Sequence, residues 1–150
     1  MRVVVQRVSR ASVSIGGSLH SEIGRGLLLL VGIGRRDTVA DLDWMSRKIP
    51  ALRIFEDGAG KMNLSLKDVD GAILAVSQFT LYADASRGNR PGFSEAAPPE
   101  SARELFDSFV ESLRRESGRA VETGSFGADM RVSLLNDGPV TIILESPSHP

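Results

Sequence analysis

The chain has 150 residues, no cysteine, and 18 Lys and Arg against 19 Asp and Glu, for a net charge of -1. That length suits one domain whose core is large enough to fold without staples. The missing cysteines exclude disulfides, a thiolate nucleophile and Cys-based zinc sites. The near-neutral balance argues against a protein that coats long nucleic acid by bulk charge, and leaves room for a small contact with the end of an RNA.

The chain opens β-rich. Val3, Val5 and Arg7 share one face of residues 2–8, and residues 11–15 repeat the period of two. Gly16-Gly17 then reads as a hairpin turn, with Ser18–Ile23 as the return strand. Charges at Arg2, Arg7 and Arg10 deny the N-terminus the apolar core of a signal peptide. The longest apolar run, residues 26–33, is strand-sized and too short for a membrane span. A cytoplasmic protein without membrane contact is expected. Gly32 and Gly34 lack the spacing of a phosphate loop, so close backbone packing is their expected role.

Asp37 or Thr38 caps a helix whose apolar positions Val39, Leu42, Met45 and Ile49 recur every three or four residues, and Pro50 ends or kinks it. Trp44 lies on the flank, for core or interface. Residues 52–55 make a short strand, followed by a turn at Asp57-Gly58. The acidic residues there lack EF-hand spacing, which makes this a solvated turn rather than a calcium loop. Asn63 and Asp68 bracket a connection into the next strand.

Residues 72–82, AILAVSQFTLY, organise the rest. The unbroken apolar start suits a central strand covered on both faces, and its end brings out Ser77, Gln78 and Thr80. Those polar groups either close the strand by bonding nearby backbone or face a ligand. The following loop, residues 83–99, carries Arg87 and Arg90 among Gly, Asn and Ser, suited to phosphate contact or simply to solvent. A helix starts at Pro98-Pro99-Glu100 and stops at Gly118. Its stripe of Ala102, Leu105, Phe106, Phe109, Val110 and Leu113 belongs in the core.

Residues 120–123 are a short strand, 124–129 a turn, and 130–135 and 140–145 two more strands around Asn136-Asp137-Gly138-Pro139. Asp-Gly between β runs signals a hairpin, but Pro139 removes a donor where a returning strand would pair. Residues 1–145 form the domain and 146–150 a disordered tail. His20 sits in a hairpin and His149 in that tail, so a Ser-His-Asp triad and a His-based metal site are not expected. A site built from hydroxyls, an amide and backbone N-H groups suits an already labile bond, such as an aminoacyl ester on a ribose.

The segments RVVVQRVSRASV, LRIFEDGAGKMNLSL, VSQFTLYAD, FSEAAPP, ETGSFGADM and VSLLNDGPVT make nearly the whole chain resemble the D-aminoacyl-tRNA deacylases. The pairing of SQFTL with NDGPVT is the most specific part. The resemblance implies a cofactor-free, metal-free ester hydrolase that clears D-amino acids, and glycine, from the acceptor end of tRNA. It also implies a β-rich α/β domain, with two antiparallel sheets curled toward a barrel and helices outside. By motif, Ser77, Gln78, Phe79 and Thr80 form the floor of the active site. Gly138 and Pro139, joined by a cis peptide, reach into the partner's site across a homodimer interface and reject L-aminoacyl-tRNA. Arg7 would hold the Gly-Pro element, and Phe126 and Met130 would line the pocket for the terminal adenosine. Two other functions compete: proofreading of small L-aminoacyl-tRNAs, and a non-catalytic module that binds RNA ends.

Overall fold

In the computed structural model, residues 1–147 are described, and one long strand at the start organises the sheet. This strand, β1 (Arg2–Ile15), pairs antiparallel with three partners: β3 (Gly26–Gly32), β2 (Ser18–Ile23) and β8 (Arg131–Glu145). Its first half lies against β3, its second half against β2, and β8 follows its other edge over nearly the whole length. Burial along β1 changes phase at Arg7 and Val8, where the pairing with β8 is irregular, so Val3 and Val5 enter one core cluster and Ala11 and Val13 the other. A bulge that bends a strand in this way lets one strand serve two parts of a curled sheet.

The sheet runs β2-β1-β3-β6-β7, with β6 at Ala72–Ser77 and β7 at Val121–Thr123. The Ser21 hydroxyl donates to the Thr123 carbonyl at 2.7 Å and ties β2 back to β7, closing the curl. The expected β-rich, barrel-like α/β domain with outer helices is therefore what forms. It differs in its strand directions, because there is one mixed six-stranded sheet and a separate two-stranded hairpin rather than two antiparallel sheets. The β3-β6 and β6-β7 pairs are parallel, since each link crosses over through a helix: α1 (Val39–Ala51) in the first and α2 (Pro99–Ser117) in the second. Strands β3 and β6 are buried on both faces, as their unalternating apolar runs require. Leu27, Leu29 and Ile73 face the helices, whereas Leu28, Leu74 and Val76 face the inside of the curl.

Thr38 caps α1 through a reciprocal capping box with Asp41. Pro50 does not end this helix; it lies in the last turn, where the Leu52 N-H still reaches the Ile49 carbonyl at 3.2 Å. Helix α2 stops at Gly118 in the left-handed conformation, φ 60°. The strand expected at 52–55 is shorter and shifted: β4 (Phe55–Glu56) pairs with β5 (Met62–Leu64) around the Asp57 turn. That turn is held by its own carboxylate, which takes the N-H groups of Lys61 and Ala59 and lies below its ordinary pKa for that reason.

Two expected strands at 130–135 and 140–145 are one, β8, and the hairpin reading of Asp137-Gly138 is overturned. Both halves pair with β1, and the register jumps from Gln6↔Thr141 to Val8↔Asn136, so residues 137–140 are pushed out of the ladder. Pro139, which has no N-H to give, sits in the excursion, and the Gly138-Pro139 peptide is cis. Ser146 is tied to the N-terminus: its N-H donates to the Met1 carbonyl at 2.9 Å, and its Oγ accepts from the Met1 amine at 2.8 Å. The rest of the expected tail, with His149, lies outside the described residues from 148 onward. Among the described residues, no helix is long and apolar enough to cross a membrane.

Candidate active site

Parallel strands β3, β6 and β7 end on the same side of the sheet, and a cavity of about 680 Å³ opens there. Crevices beyond the carboxyl ends of parallel strands are where α/β sheets bind ligands, because the chain must leave the sheet there and its loops diverge. Each strand supplies part of the wall. Ile33 and Arg35 follow β3, Ser77, Gln78 and Phe79 end β6, and Phe126 follows β7. The N-terminus of α2 contributes Pro98, Pro99 and Ala102.

The floor changes character within three residues. Gln78 still bonds as a strand residue, its N-H to the Val31 carbonyl at 2.8 Å, and then Phe79–Tyr82 coils into one 3-10 turn. Within the stretch 72–82 the strand itself stops at Ser77. The first N-H groups of such a turn, those of Phe79 and Thr80, have no partner within it. Room for the turn comes from glycine: a Cβ at Gly34 would lie 2.7 Å from the Tyr82 hydroxyl, and one at Gly32 3.0 Å from Leu81 Cβ. Close packing is thus the role of Gly32 and Gly34. Burial, and then the Asp37 carboxylate, keep the Tyr82 phenol well above its ordinary pKa, so it stays neutral.

Phe79 is more than half exposed and meets Phe93 edge-on, with ring centroids 5.1 Å apart. Phe126, another lining residue, has the Arg103 guanidinium over its ring, 5.1 Å from the centroid. Met130 is pressed against Gly124, where a Cβ would come within 2.5 Å of its sulfur. Aromatic and thioether walls of this kind accept a flat heterocycle. Among the lining side chains, only Arg35 and Asp129 are ionisable, and Asp129 is exposed and paired with Arg131 at 2.9 Å. His20 is exposed on β2 and does not line the cavity. Among the described residues, no three His, Cys, Asp or Glu side chains converge as metal ligands.

The structure gathers Ser77, Gln78, Phe79, Phe126 and Met130 around this cavity and leaves the other named residues outside its lining. Thr80 is exposed beside the floor, and its hydroxyl accepts a hydrogen bond from Gln78 Nε2 at 2.6 Å. Arg7, Gly138 and Pro139 form a second group. Arg7 is buried on β1, and donates from Nε to the Asp137 carbonyl and from Nη1 to the Ile54 carbonyl, both at 2.8 Å. Asn136 replaces the lost ladder, taking the Val140 N-H on Oδ1 at 2.7 Å and giving Nδ2 to the Val140 carbonyl at 3.2 Å. Gly138 itself is exposed, at φ +145°, and a Cβ there would meet Val140 Cγ2 at 2.7 Å and Arg7 Nη2 at 3.2 Å. Phe93 and Arg35 are cavity residues that sequence reasoning did not single out. The aromatic after Pro91-Gly92, in an otherwise polar loop, was the available signal.

The family model for D-Tyr-tRNA(Tyr) deacylase matches residues 4–145. The D-aminoacyl-tRNA deacylase of Chlorobaculum tepidum is 76% identical, over 100% of both chains. Among solved structures, the c-Myc DNA Unwinding Element Binding Protein is similar at 49% identity and a TM-score of 0.92, over 99% of this chain and 100% of that one. A probable eukaryotic D-amino acid tRNA deacylase shares the fold, with a TM-score of 0.83 at 18% identity over 95% and 97% of the two chains.

Proposed function

Because the chain belongs to the D-aminoacyl-tRNA deacylase family, a family of hydrolases, we propose that its cavity takes the 3′-terminal adenosine of a D-aminoacyl-tRNA and presents the ester to water. The observation that carries this reading is that Ser77, Gln78 and Phe79 floor a cavity of about 680 Å³ walled by Phe93, Phe126 and Met130. Its size is that of ordinary small-molecule sites, roughly 300 to 1,000 Å³. The adenine rests among the aromatic rings, with the ester over the start of the 3-10 turn.

In the reaction, water adds to the ester carbonyl carbon, the bond to the ribose 3′ oxygen breaks, and that oxygen leaves with a proton on the tRNA. The N-H groups of Phe79 and Thr80 face the oxyanion of the tetrahedral intermediate, a contribution worth about 3 kcal/mol per donor. The hydroxyl of Thr80 is not the nucleophile, because no histidine lies in the cavity lining to deprotonate it. The neighbouring 2′-OH of the ribose assists the attacking water.

The enzyme works as a homodimer. In this reading Gly138 and Pro139, which are exposed and do not line their own chain's cavity, act in the site of a second copy. Strand β8 supports this, since among the described residues it pairs only with β1 and exposes Leu134, Leu135 and Ile143. A long strand with an open edge and an apolar surface is ordinarily covered. In the partner's site the backbone carbonyls at Gly138 and Pro139 fill the space an L side chain needs, while a D side chain or the hydrogen of glycine passes. Sparing L-aminoacyl-tRNA by about 10⁴-fold needs about 5.5 kcal/mol, more than the roughly 1 to 3 kcal/mol a methylene-sized fit provides. A fixed obstacle supplies the difference.

Matched D- and L-tyrosyl-tRNA, with glycyl- and L-alanyl-tRNA, test the reading directly. Hydrolysis of the D-tyrosyl and glycyl esters alone is expected. Comparable rates on L-substrates would point to proofreading of L-aminoacyl-tRNA, and binding without hydrolysis would point to an RNA-end module.

A further inference from the structure

The loop at residues 84–92 is closed at its neck by two backbone hydrogen bonds, Asp84 N-H to the Gly92 carbonyl and Gly92 N-H to the Asp84 carbonyl, each 2.8 Å. The tip beyond that neck, residues 85–91, holds Arg87 and Arg90 and no acidic residue. Both arginines are exposed, and neither has an ion-pair partner among the described residues. By contrast the Asp84 carboxylate is turned to Ser86, accepting its N-H at 2.9 Å, and lies below its ordinary pKa because of bonds from that residue's hydroxyl and N-H.

The loop's position matters as much as its charge. Phe93, the residue after the neck, packs against Phe79 on the cavity floor, and the Arg35 N-H donates to the Glu95 carbonyl at 2.9 Å. Arg35 lines the cavity and Arg36 beside it is exposed and unpaired among the described residues. Arg35 thus lines the cavity with Arg36 next to it in the chain, while Arg87 and Arg90 sit on a loop whose neck runs straight into the cavity residue Phe93, all on a chain whose net charge is -1. Paired arginines at this density would be an ordinary solvated surface; unpaired ones beside a nucleoside-sized cavity suit phosphates.

We propose that Arg87 and Arg90, on the tip of this loop, grip the phosphates of the single-stranded RNA segment just upstream of the nucleoside held in the cavity. The inference rests on the reading of the cavity as a tRNA 3′-end site and adds where the rest of that strand runs. Phosphate contacts carry register rather than sequence, so the loop fixes how the strand enters while the cavity holds its terminus.

The test is equilibrium binding of uncharged tRNA by the full chain and by an Arg87→Gln, Arg90→Gln variant over a range of salt. Losing two phosphate contacts on a single strand flattens the slope of log K against log salt by about 1.4, and weakens binding on the order of tenfold near ~0.1 M salt. Arg87→Lys with Arg90→Lys restores the slope, since the charge and not the fork is what the phosphates require. On D-tyrosyl-tRNA the Gln variant shows a raised KM with kcat retained. Equal salt slopes for the two proteins, or a fall in kcat with the slope unchanged, overturns the proposal. If the wild-type chain hydrolyses no D-tyrosyl-tRNA, the deacylase reading fails while the binding comparison still decides the role of the loop.

Discussion

Gly138 combines two demands that only glycine meets, a φ of +145° and a Cβ position 2.7 Å from Val140 Cγ2. Gly138→Ala therefore forces an L residue into a sparsely populated region, at a cost of about 1 to 3 kcal/mol. The excursion should shift, lowering the midpoint of chemical denaturation and reducing the ratio of D- to L-tyrosyl-tRNA hydrolysis. An unchanged ratio would remove Gly138 from chiral selection. Thr80 yields the opposite expectation. Its hydroxyl accepts from Gln78 and in the proposed mechanism does not attack the ester, so Thr80→Ala should retain substantial deacylation in single-turnover assays; an acyl-enzyme trapped on Thr80 and detected by mass spectrometry would refute that. Much at this scale was legible in the residues. The polar Ser77 and Gln78 at the end of a buried strand and the awkwardness of Pro139 in a hairpin could be read from types and spacing; the floor with Phe79 came from the family resemblance. That Arg7 reaches the Asp137 carbonyl could not, because 130 residues separate them and no local pattern encodes the approach.

Elements were legible where a period was long and unmixed. The buried runs of β3 and β6 and the stripe of α2 announced themselves, and Gly118 fixed a helix end. What failed was the reading of interruptions. Asp137-Gly138-Pro139 looks locally like a turn, yet both flanks pair with β1, and only that distant strand decides whether a break is a hairpin or a bulge. Pro50 likewise sits within α1, because a proline near the last turn costs little that the Leu52 N-H bond to Ile49 does not preserve. Parallel pairing of β3 with β6 follows from the crossover, which spacing alone does not reveal. Helix α2 is the element whose packing is easiest to test. Phe109 is fully buried in the cluster beneath both helices, and Phe109→Ala should cost about 3 to 5 kcal/mol in urea unfolding. A loss below 1 kcal/mol would mean that α2 is loosely held.

At the scale of the molecule, the cavity and the Gly-Pro excursion do not meet within one chain, so the proposed site draws on two copies. A tight homodimer is the expected form in sedimentation at low micromolar concentration, and a fully active monomer there would overturn the cross-subunit arrangement. The route by which each copy reaches that form is set by β1. Among the described residues its outer edge is satisfied only by β8, with Arg2 opposite Glu145 and Ser14 opposite Arg131, so β1 is finished by a strand made after all its other partners. Contacts between chain ends close the longest loops and belong to slow folding. During synthesis, β1 waits with an unpaired, valine-rich edge while the remainder of the chain is added, a state open to association with other nascent copies. A chain truncated before Arg131 should therefore stay protease-sensitive and aggregate. Protease resistance in that fragment equal to the full chain's would show that the sheet closes without its final strand.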